Sequence, residues 1–224
     1  MNERRRAESA QPPRGRSRLE AVWPIVHDER ARLAADLGAV APAAWSTPSL
    51  CPGWDVHDVV AHLIDSATTT RRRFVRRMIA ARFDFDRDND AGIRAQRRAD
   101  PAATLDALRA VVSSTDSPPA AAATRLVEAF VHGEDIRRPL GIVGAYPTDA
   151  VIDALDHQLA TSVSFGGGRQ RAQGTCLVVT DGDYAHGAGP EVRGRAIDLL
   201  LAVSGRPVPD GALTGPGAPH LLVE

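Results

Sequence analysis

Apolar residues recur at helical spacing over most of the first 165 residues, and this periodicity constrains the fold more than any other feature of the sequence. The clearest run is residues 55–83, where the apolar positions repeat with a period close to 3.6: Val56, Val59, Val60, Leu63, Ile64 and Ala67. Such a stripe is the core-facing side of an amphipathic helix. Clusters of proline and glycine separate the periodic segments, as loops between helices do. The pattern predicts a bundle of helices extending to about residue 168.

Cap and breaker residues indicate where the other helices begin and end. Pro24 suits the first turn of a helix, so the regular part of the first helix is expected to begin near it. Asp100 and Pro101 suit the N-cap and first helical positions. Residues 84–100, dense in Asp and Arg, are predicted to form a solvated connection. Besides the run at 55–83, helices are predicted over residues 19–38, 100–114, 120–141 and 148–165.

The last 50 residues change character. TCLVVTD predicts a short strand bounded by turn signals, and VRGRAIDLLLAVSG predicts an apolar helix closed by Gly205. The three glycines at 166–168 are interpreted as a linker. The predicted fold class is therefore mainly α, with a helical bundle over residues 19–168 and a small α/β domain over residues 169–224. Residues 1–18 are predicted to be a disordered, Arg-rich tail.

Composition limits the compartment and the partners. The formal net charge of -1 gives no reason to expect a polyanion bound by the whole surface. Cys51 and Cys176 are the only cysteines, so a disulfide framework is not expected and a cytoplasmic location is. No apolar run approaches the roughly 18 residues of a membrane helix, so no membrane partner is expected.

Glu128 stands out because its neighbours are almost all apolar, which predicts a buried helix segment. A buried carboxylate is costly unless it is paired or binds a metal ion. His132 follows one helical turn later, so both side chains project from one face, and Asp135 is placed to hold a histidine nitrogen. On the preceding long helix, His62 lies at the flank of the apolar stripe, whereas His57 lies opposite the stripe and is expected to be solvated.

One histidine from one helix and a Glu-x3-His pair from another can bind a metal ion in a bundle core. Spacing alone does not distinguish a metal site from an ordinary core, since many buried histidines are only hydrogen-bonded core residues. Two nitrogens and one carboxylate would leave an open position, which is typical of a catalytic zinc site. The metal prediction therefore concerns His62, Glu128 and His132.

Three segments carry a resemblance to a known family. LCPGWDVHDVVAHL, VEAFVHGEDIRRPLG and TDGDYAHGAGPEVRGRAIDLLLAVSGRP resemble, in this order, the mycothiol-dependent maleylpyruvate isomerase family. The resemblance extends from about residue 19 over nearly the whole chain. It implies a DinB-like four-helix bundle followed by a small α/β domain. It also matches the family's metal-binding histidine to His62 and its Glu-x3-His pair to Glu128 and His132.

The resemblance further implies an enzyme with a divalent metal, zinc by expectation, and mycothiol as the thiol co-substrate. Metal coordination holds a thiol as the nucleophilic thiolate. The partner would be a small electrophile, and cis–trans isomerisation and S-transfer both remain open. Arg206, in a family-like Gly-Arg-Pro turn, is a candidate to contact polar groups of the substrate or cofactor, as are Arg193 and Arg195, although each also fits a solvated surface. Cys51 has no evident base beside it and is not expected to be the nucleophile.

Two further hypotheses belong to other functional classes. The first is a non-catalytic module that keeps the bundle and binds a metal ion or small ligand in its pocket. The second is a regulatory protein whose arginine-rich tail binds nucleic acid. No aromatic residues are interleaved with those arginines, so nucleic acid is not an expected partner.

Overall fold

The computed structural model describes residues 16–222, with side chains described from residue 21 onward. This part of the chain is mainly helical and carries a three-stranded sheet towards its C-terminal end, which confirms the predicted fold class. The elements are α1 (Arg16–Gly38), α2 (Val56–Thr68), α3 (Arg71–Ala80), α4 (Phe85–Gln96), α5 (Pro101–Ala110), α6 (Ala122–Arg137), α7 (Thr148–Ala160), β1 (Cys176–Val179), β2 (Ala185–Gly187), β3 (Glu191–Gly194) and α8 (Ala196–Val203).

Four of these helices form the bundle. Helix α1 packs against α5 and α6, and α2 packs against the same two helices from the other side. Helices α3 and α4 form a hairpin outside this group, held mainly by contacts between α4 and α2. Helix α7 packs against both α6 and α8. Among the described helices, none has both the length and the apolar composition that a membrane crossing requires.

Local sequence signals account for two of the helix starts. Asp55 caps α2 through a capping box, in which its side chain accepts from the Asp58 backbone N–H at 2.8 Å and the Asp58 side chain accepts from the Asp55 backbone N–H at 3.3 Å. Asp100 caps α5, and Pro101 is its first residue, as predicted.

The prediction of one helix over residues 55–83 was wrong, because the chain breaks at Thr69 and Thr70. Thr69 is extended, and the Thr70 hydroxyl caps α3 by accepting from the Arg73 backbone N–H at 3.3 Å. Threonine favours caps over helix interiors, since its hydroxyl competes for backbone groups. A run of apolar periodicity that continues past such residues does not reveal the break.

The predicted solvated connection at residues 84–100 was also wrong. Asp84 caps α4 by accepting from the Arg87 backbone N–H at 3.0 Å. Helix α4 then buries Asp88, Gly92 and Ile93 against its neighbours. Asp88 is stable there because the guanidinium of Arg77 donates to its carboxylate at 2.9 Å. Because the segment is rich in charged residues, the buried face of α4 could not be recognised from the sequence.

Helix α1 begins at Arg16, so Pro24 lies inside the helix rather than at its start, and that boundary prediction was wrong. Proline within a helix removes one backbone donor, and here its ring is exposed to solvent. The predicted tail, residues 1–18, lies outside the described residues except for 16–18, which belong to α1.

The core consists of two clusters. One fills the bundle between α1, α2 and α5 and includes Leu33, Val60 and Leu108. The other runs without interruption from Phe130 of α6 to Leu200 of α8 through α7 and the sheet. The C-terminal part is therefore packed directly on α6 and α7, and the domain boundary at residue 168 stays a prediction.

The sheet has the strand order β2-β1-β3, with β1 antiparallel to β2 and parallel to β3. Only β1 was predicted from the sequence. Strand β2 is exposed along its whole length, and β3 buries only alternate positions, Val192 and Gly194. A strand of three exposed residues carries no hydrophobic alternation from which it could be recognised.

Candidate metal centre and its cavity

Helices α2 and α6 bring two of the predicted residues together. The ring centroids of His62 and His132 lie 4.9 Å apart, with the rings nearly perpendicular at 74°. The apolar stripe of α2 is buried in the bundle, so the flank that bears His62 turns towards α6. The predicted juxtaposition of these two histidines across the helix pair is therefore present.

The indole of Trp54 covers this pair from the loop before α2. Its ring centroid is 5.1 Å from that of His62 and 6.4 Å from that of His132. Sequence reasoning did not assign Trp54 to the site. The only available signal was its place directly before the helix that carries His62.

Burial, and after it the nearby His132 ring, lower the pKa of His62 to about 3 against the opposing effect of Glu128. The His62 ring is consequently neutral at physiological pH. No hydrogen-bond partner for it is found within residues 21–222. A neutral imidazole with a free nitrogen is the form that binds a metal ion.

His132 is oriented by a buried carboxylate, as the sequence predicted. Its Nδ1–H donates to Asp135 Oδ2 at 2.9 Å, and Asp135 is fully buried. Arg206 donates to the same carboxylate twice, from Nε to Oδ1 at 2.9 Å and from Nη2 to Oδ2 at 3.1 Å. Burial would raise the pKa of Asp135, but His132 and Arg206 outweigh it and the pKa is lowered. The bond from Nδ1 leaves His132 Nε2 free for a ligand.

Glu128 is held by a residue on its own helix. Arg125 Nη1 donates to Glu128 Oε2 at 2.6 Å and to Ser66 Oγ at 3.1 Å. Burial would raise the pKa of Glu128, but Arg125 and then His62 outweigh it, so the carboxyl is ionised. Neither Arg125 nor Ser66 was assigned to the site from the sequence. An arginine three residues before a buried glutamate on a helix was the signal that could have revealed the pair.

In the described part of the chain, no three His, Cys, Asp or Glu side chains converge in a way that could hold a metal ion. The two histidine rings meet, while one oxygen of Glu128 is engaged by Arg125. The chemistry of the donor set nevertheless fits zinc, because it offers two imidazoles and an ionised carboxylate. The three-ligand centre predicted from the sequence stays a prediction.

The histidine pair opens onto a cavity of about 520 Å³, which is within the size range of small-molecule sites. Helix α4 supplies one wall, and the segment after α7 and the end of α8 supply another. The lining residues are Cys51, Pro52, Trp54, His62, Asp86, Asn89, Asp90, His132, Val163, Gly166, Gly167, Arg171, Ser204 and Arg206. The C-terminal part thus contributes directly to the candidate site.

Of the three arginines considered from the sequence, only Arg206 lines this cavity. Arg193 is about half exposed and pairs with Glu191 at 3.0 Å. Arg195 is more exposed still and lies 3.5 Å from Asp181. Both are surface residues outside the candidate site.

Cys51 lines the cavity, yet its thiol is a poor nucleophile. Burial raises its pKa from the ordinary 9.0 to about 11, against the opposing effect of Arg206. In a Cys176→Ser background, we expect iodoacetamide to alkylate Cys51 about a hundredfold more slowly at pH 8 than an ordinary thiol, because each pKa unit costs a factor of ten in thiolate. The rate should keep rising with pH up to about 11, and urea-unfolded protein is the control. A rate that levels off below pH 9 would contradict this assignment.

The fold and site together define a class: a helical bundle with a histidine pair facing a ligand-sized cavity that an α/β unit helps to enclose. Residues 26–123 match the family model described as the mycothiol maleylpyruvate isomerase N-terminal domain, which confirms the resemblance predicted from the sequence.

Two solved structures share the fold of this chain. The chain is similar to a histidine-to-alanine mutant of the mycothiol-dependent maleylpyruvate isomerase, with 15% identity and a TM-score of 0.62. It is also similar to a crystal structure described as the mycothiol-dependent maleylpyruvate isomerase, with 14% identity and a TM-score of 0.59. Each match covers 89% of this chain and 93% of the other, and at such identity it shows a shared fold. No curated protein matches the chain.

Proposed function

We propose that this protein is a metal- and mycothiol-dependent enzyme that activates a thiol for attack on a small electrophile. The observation that supports it best is the pair of histidine rings, 4.9 Å apart, at a cavity of about 520 Å³. His62, Glu128 and His132 would hold the metal ion. A bound divalent metal, zinc by our proposal, supplies the positive charge that keeps a thiol as its thiolate.

The residues around the candidate ligands have distinct roles in this proposal. Asp135 and Arg206 keep Nε2 of His132 directed away from the buried carboxylate. Arg125 restrains Glu128 through Oε2 and is itself held by Ser66, so the carboxylate is fixed in place on the helix that also carries His132. Arg206 is already engaged through Nε and Nη2, so we assign it to positioning His132 rather than to contact with the substrate.

The walls of the cavity suit a ligand with polar groups at both ends. Asp86, Asn89 and Asp90 of α4 offer acceptors for the hydroxyl and amino groups of a sugar-containing thiol such as mycothiol. Arg171 also lines the cavity and adds positive charge for an electrophile with acidic groups. Isomerisation and S-transfer both need this arrangement. Cys51 and Cys176, both unpaired, support a reducing, cytoplasmic location.

We expect freshly purified protein to carry close to one divalent metal ion per chain, measured by elemental analysis. His62→Ala and His132→Ala should each lose most of that metal, since each removes a proposed ligand. His186→Ala, on exposed strand β2, is the matched control and should retain it. Wild-type protein that holds no metal, even after incubation with zinc and removal of the excess, would overturn the proposal.

A second candidate is a non-catalytic module that binds a ligand in the same cavity. The absence of three converging metal donors in the described part of the chain favours it. Mycothiol and other small thiols, assayed against a panel of electrophiles, discriminate between the two. Metal-loaded protein that converts no electrophile with any thiol supports the module, and turnover that depends on both metal and thiol supports the enzyme.

A further inference from the structure

The outward face of α3 is both basic and apolar. Val75 and Ile79 lie one helical turn apart and are 51% and 61% exposed. Arg72 and Arg76 have the same spacing and lie on the same side, and both are exposed. Met78, on the adjoining side of α3, is buried. This face therefore presents aliphatic and guanidinium groups together to the surroundings.

The turn that follows α3, together with the start of α4, carries two exposed aromatic rings. Phe83 is 72% exposed and Phe85 is 55% exposed. Arg82 and Phe83 both have positive φ angles, 59° and 63°, which residues other than glycine rarely adopt. Backbone strain of this kind is typical of functional segments. Here the strained backbone holds the phenyl ring of Phe83 in contact with solvent.

The charges of the hairpin are distributed unequally between its sides. Within the described residues, no carboxylate pairs with Arg72, Arg76 or Arg82 on the outward face. Of the acidic groups nearby, Asp88 is buried against Arg77, and Asp86 and Asp90 line the cavity. Asp84, which caps α4, is exposed between Phe83 and Phe85. With three arginines against this one aspartate, the outward face has a net positive charge although the whole chain has a net charge of -1.

We propose that this face, formed by Arg72, Val75, Arg76, Ile79, Arg82, Phe83 and Phe85, binds the surface of an anionic phospholipid bilayer. Guanidinium groups pair with lipid phosphates, and the exposed rings and aliphatic groups enter the acyl boundary. Nucleic acid offers no partner for the aliphatic groups, and a second copy of this positive face would be repelled. A peripheral contact needs no spanning helix, and it is independent of the proposed function.

The experiment is co-sedimentation of the full chain with vesicles of phosphatidylcholine alone or with 3:1 phosphatidylcholine and phosphatidylglycerol. We expect binding to the mixed vesicles and none to the neutral ones. Arg72→Gln combined with Arg76→Gln should weaken binding by roughly tenfold or more, given the contribution of each basic residue. Phe83→Asn should weaken it by about tenfold without lowering the melting temperature, because asparagine tolerates the left-handed conformation.

Val143→Ser is the matched control, since Val143 is 89% exposed but lies outside this face. It should bind like the wild type. Equal binding to both kinds of vesicle, no binding to either, or anionic binding unchanged by the α3 and Phe83 variants would overturn the proposal. So would loss of binding only on deletion of residues 1–15, whose arginines could attract anionic lipid without this face.

Discussion

Replacing Arg137 by methionine should lower the free energy of unfolding by about 3–5 kcal/mol, the loss typical of a broken buried ion pair. Arg137 is only 2% exposed and donates to Glu29, to Asp36 Oδ2 at 2.7 Å and to the Tyr146 hydroxyl at 2.8 Å. Glu29 is equally buried. Methionine fills a similar volume, so the loss comes from an uncompensated buried carboxylate rather than from a void.

Urea unfolding with an unchanged m value measures this loss. Glu29→Gln combined with Arg137→Met should recover part of it, because the unpaired charge is then removed. Arg109→Met is the matched control: Arg109 pairs with Asp106 on the surface, and its loss should stay within about 0.5 kcal/mol. A cost below about 1 kcal/mol for Arg137→Met would show that the network contributes little.

The same network connects the candidate site to the rest of the fold. Tyr146 donates to Glu134 at 2.6 Å, and Glu134 also accepts from Arg138 at 2.6 Å. Arg138 then reaches Asp198 of α8 at 2.5 Å. Helix α6, which carries Glu128 and His132, is thereby held to α1 on one side and to α8 on the other. The position of the candidate ligands depends on charges that lie outside the cavity.

Much of the architecture could be predicted because local chemistry and packing agree. The cap at Asp100, and the position of Glu128 and His132 on one helix, could be predicted from the sequence. His57 was not: its position opposite the apolar stripe predicted a solvated ring, but the ring is buried and bonds Thr104 Oγ1 at 2.7 Å. The partner that buries it lies 47 residues away, and no periodicity reports such a contact.

In the candidate site, too, contacts within one helix could be predicted from the sequence and contacts between distant segments could not. Spacing on α6 predicted the bond between Asp135 and His132, because both residues lie on one helix. It could not predict that Arg206, 71 residues further on, holds the same carboxylate. The wall of the cavity formed by α4 was missed for a related reason. A segment rich in aspartate is expected to be solvated, because the sequence does not show that Asp88 pairs with Arg77 or that Asp86 and Asp90 line the cavity.

Asp135→Asn tests whether this buried carboxylate positions His132 for a ligand. We expect the variant to bind zinc 10–100-fold more weakly than the wild type, the usual cost of losing the group that orients a metal-binding histidine. Asparagine keeps the shape of the side chain but removes the charge, and its single oxygen cannot accept all three hydrogen bonds that His132 and Arg206 donate to the carboxylate. Competition with a chromophoric chelator measures the affinity, and the melting temperature of the metal-free protein reports whether the variant is folded.

A double-mutant cycle separates positioning from a general loss of structure. Arg206→Met should also weaken zinc binding, because Asp135 loses the partner that fixes its carboxylate. The Asp135→Asn and Arg206→Met double variant should be no weaker than Asp135→Asn alone, since both substitutions interrupt one chain of hydrogen bonds. Asp106→Asn, on the surface of α5, should bind zinc like the wild type. Unchanged affinity in folded Asp135→Asn would mean that His132 needs no such support, whereas additive losses would mean that Arg206 acts on the metal site by a route other than Asp135.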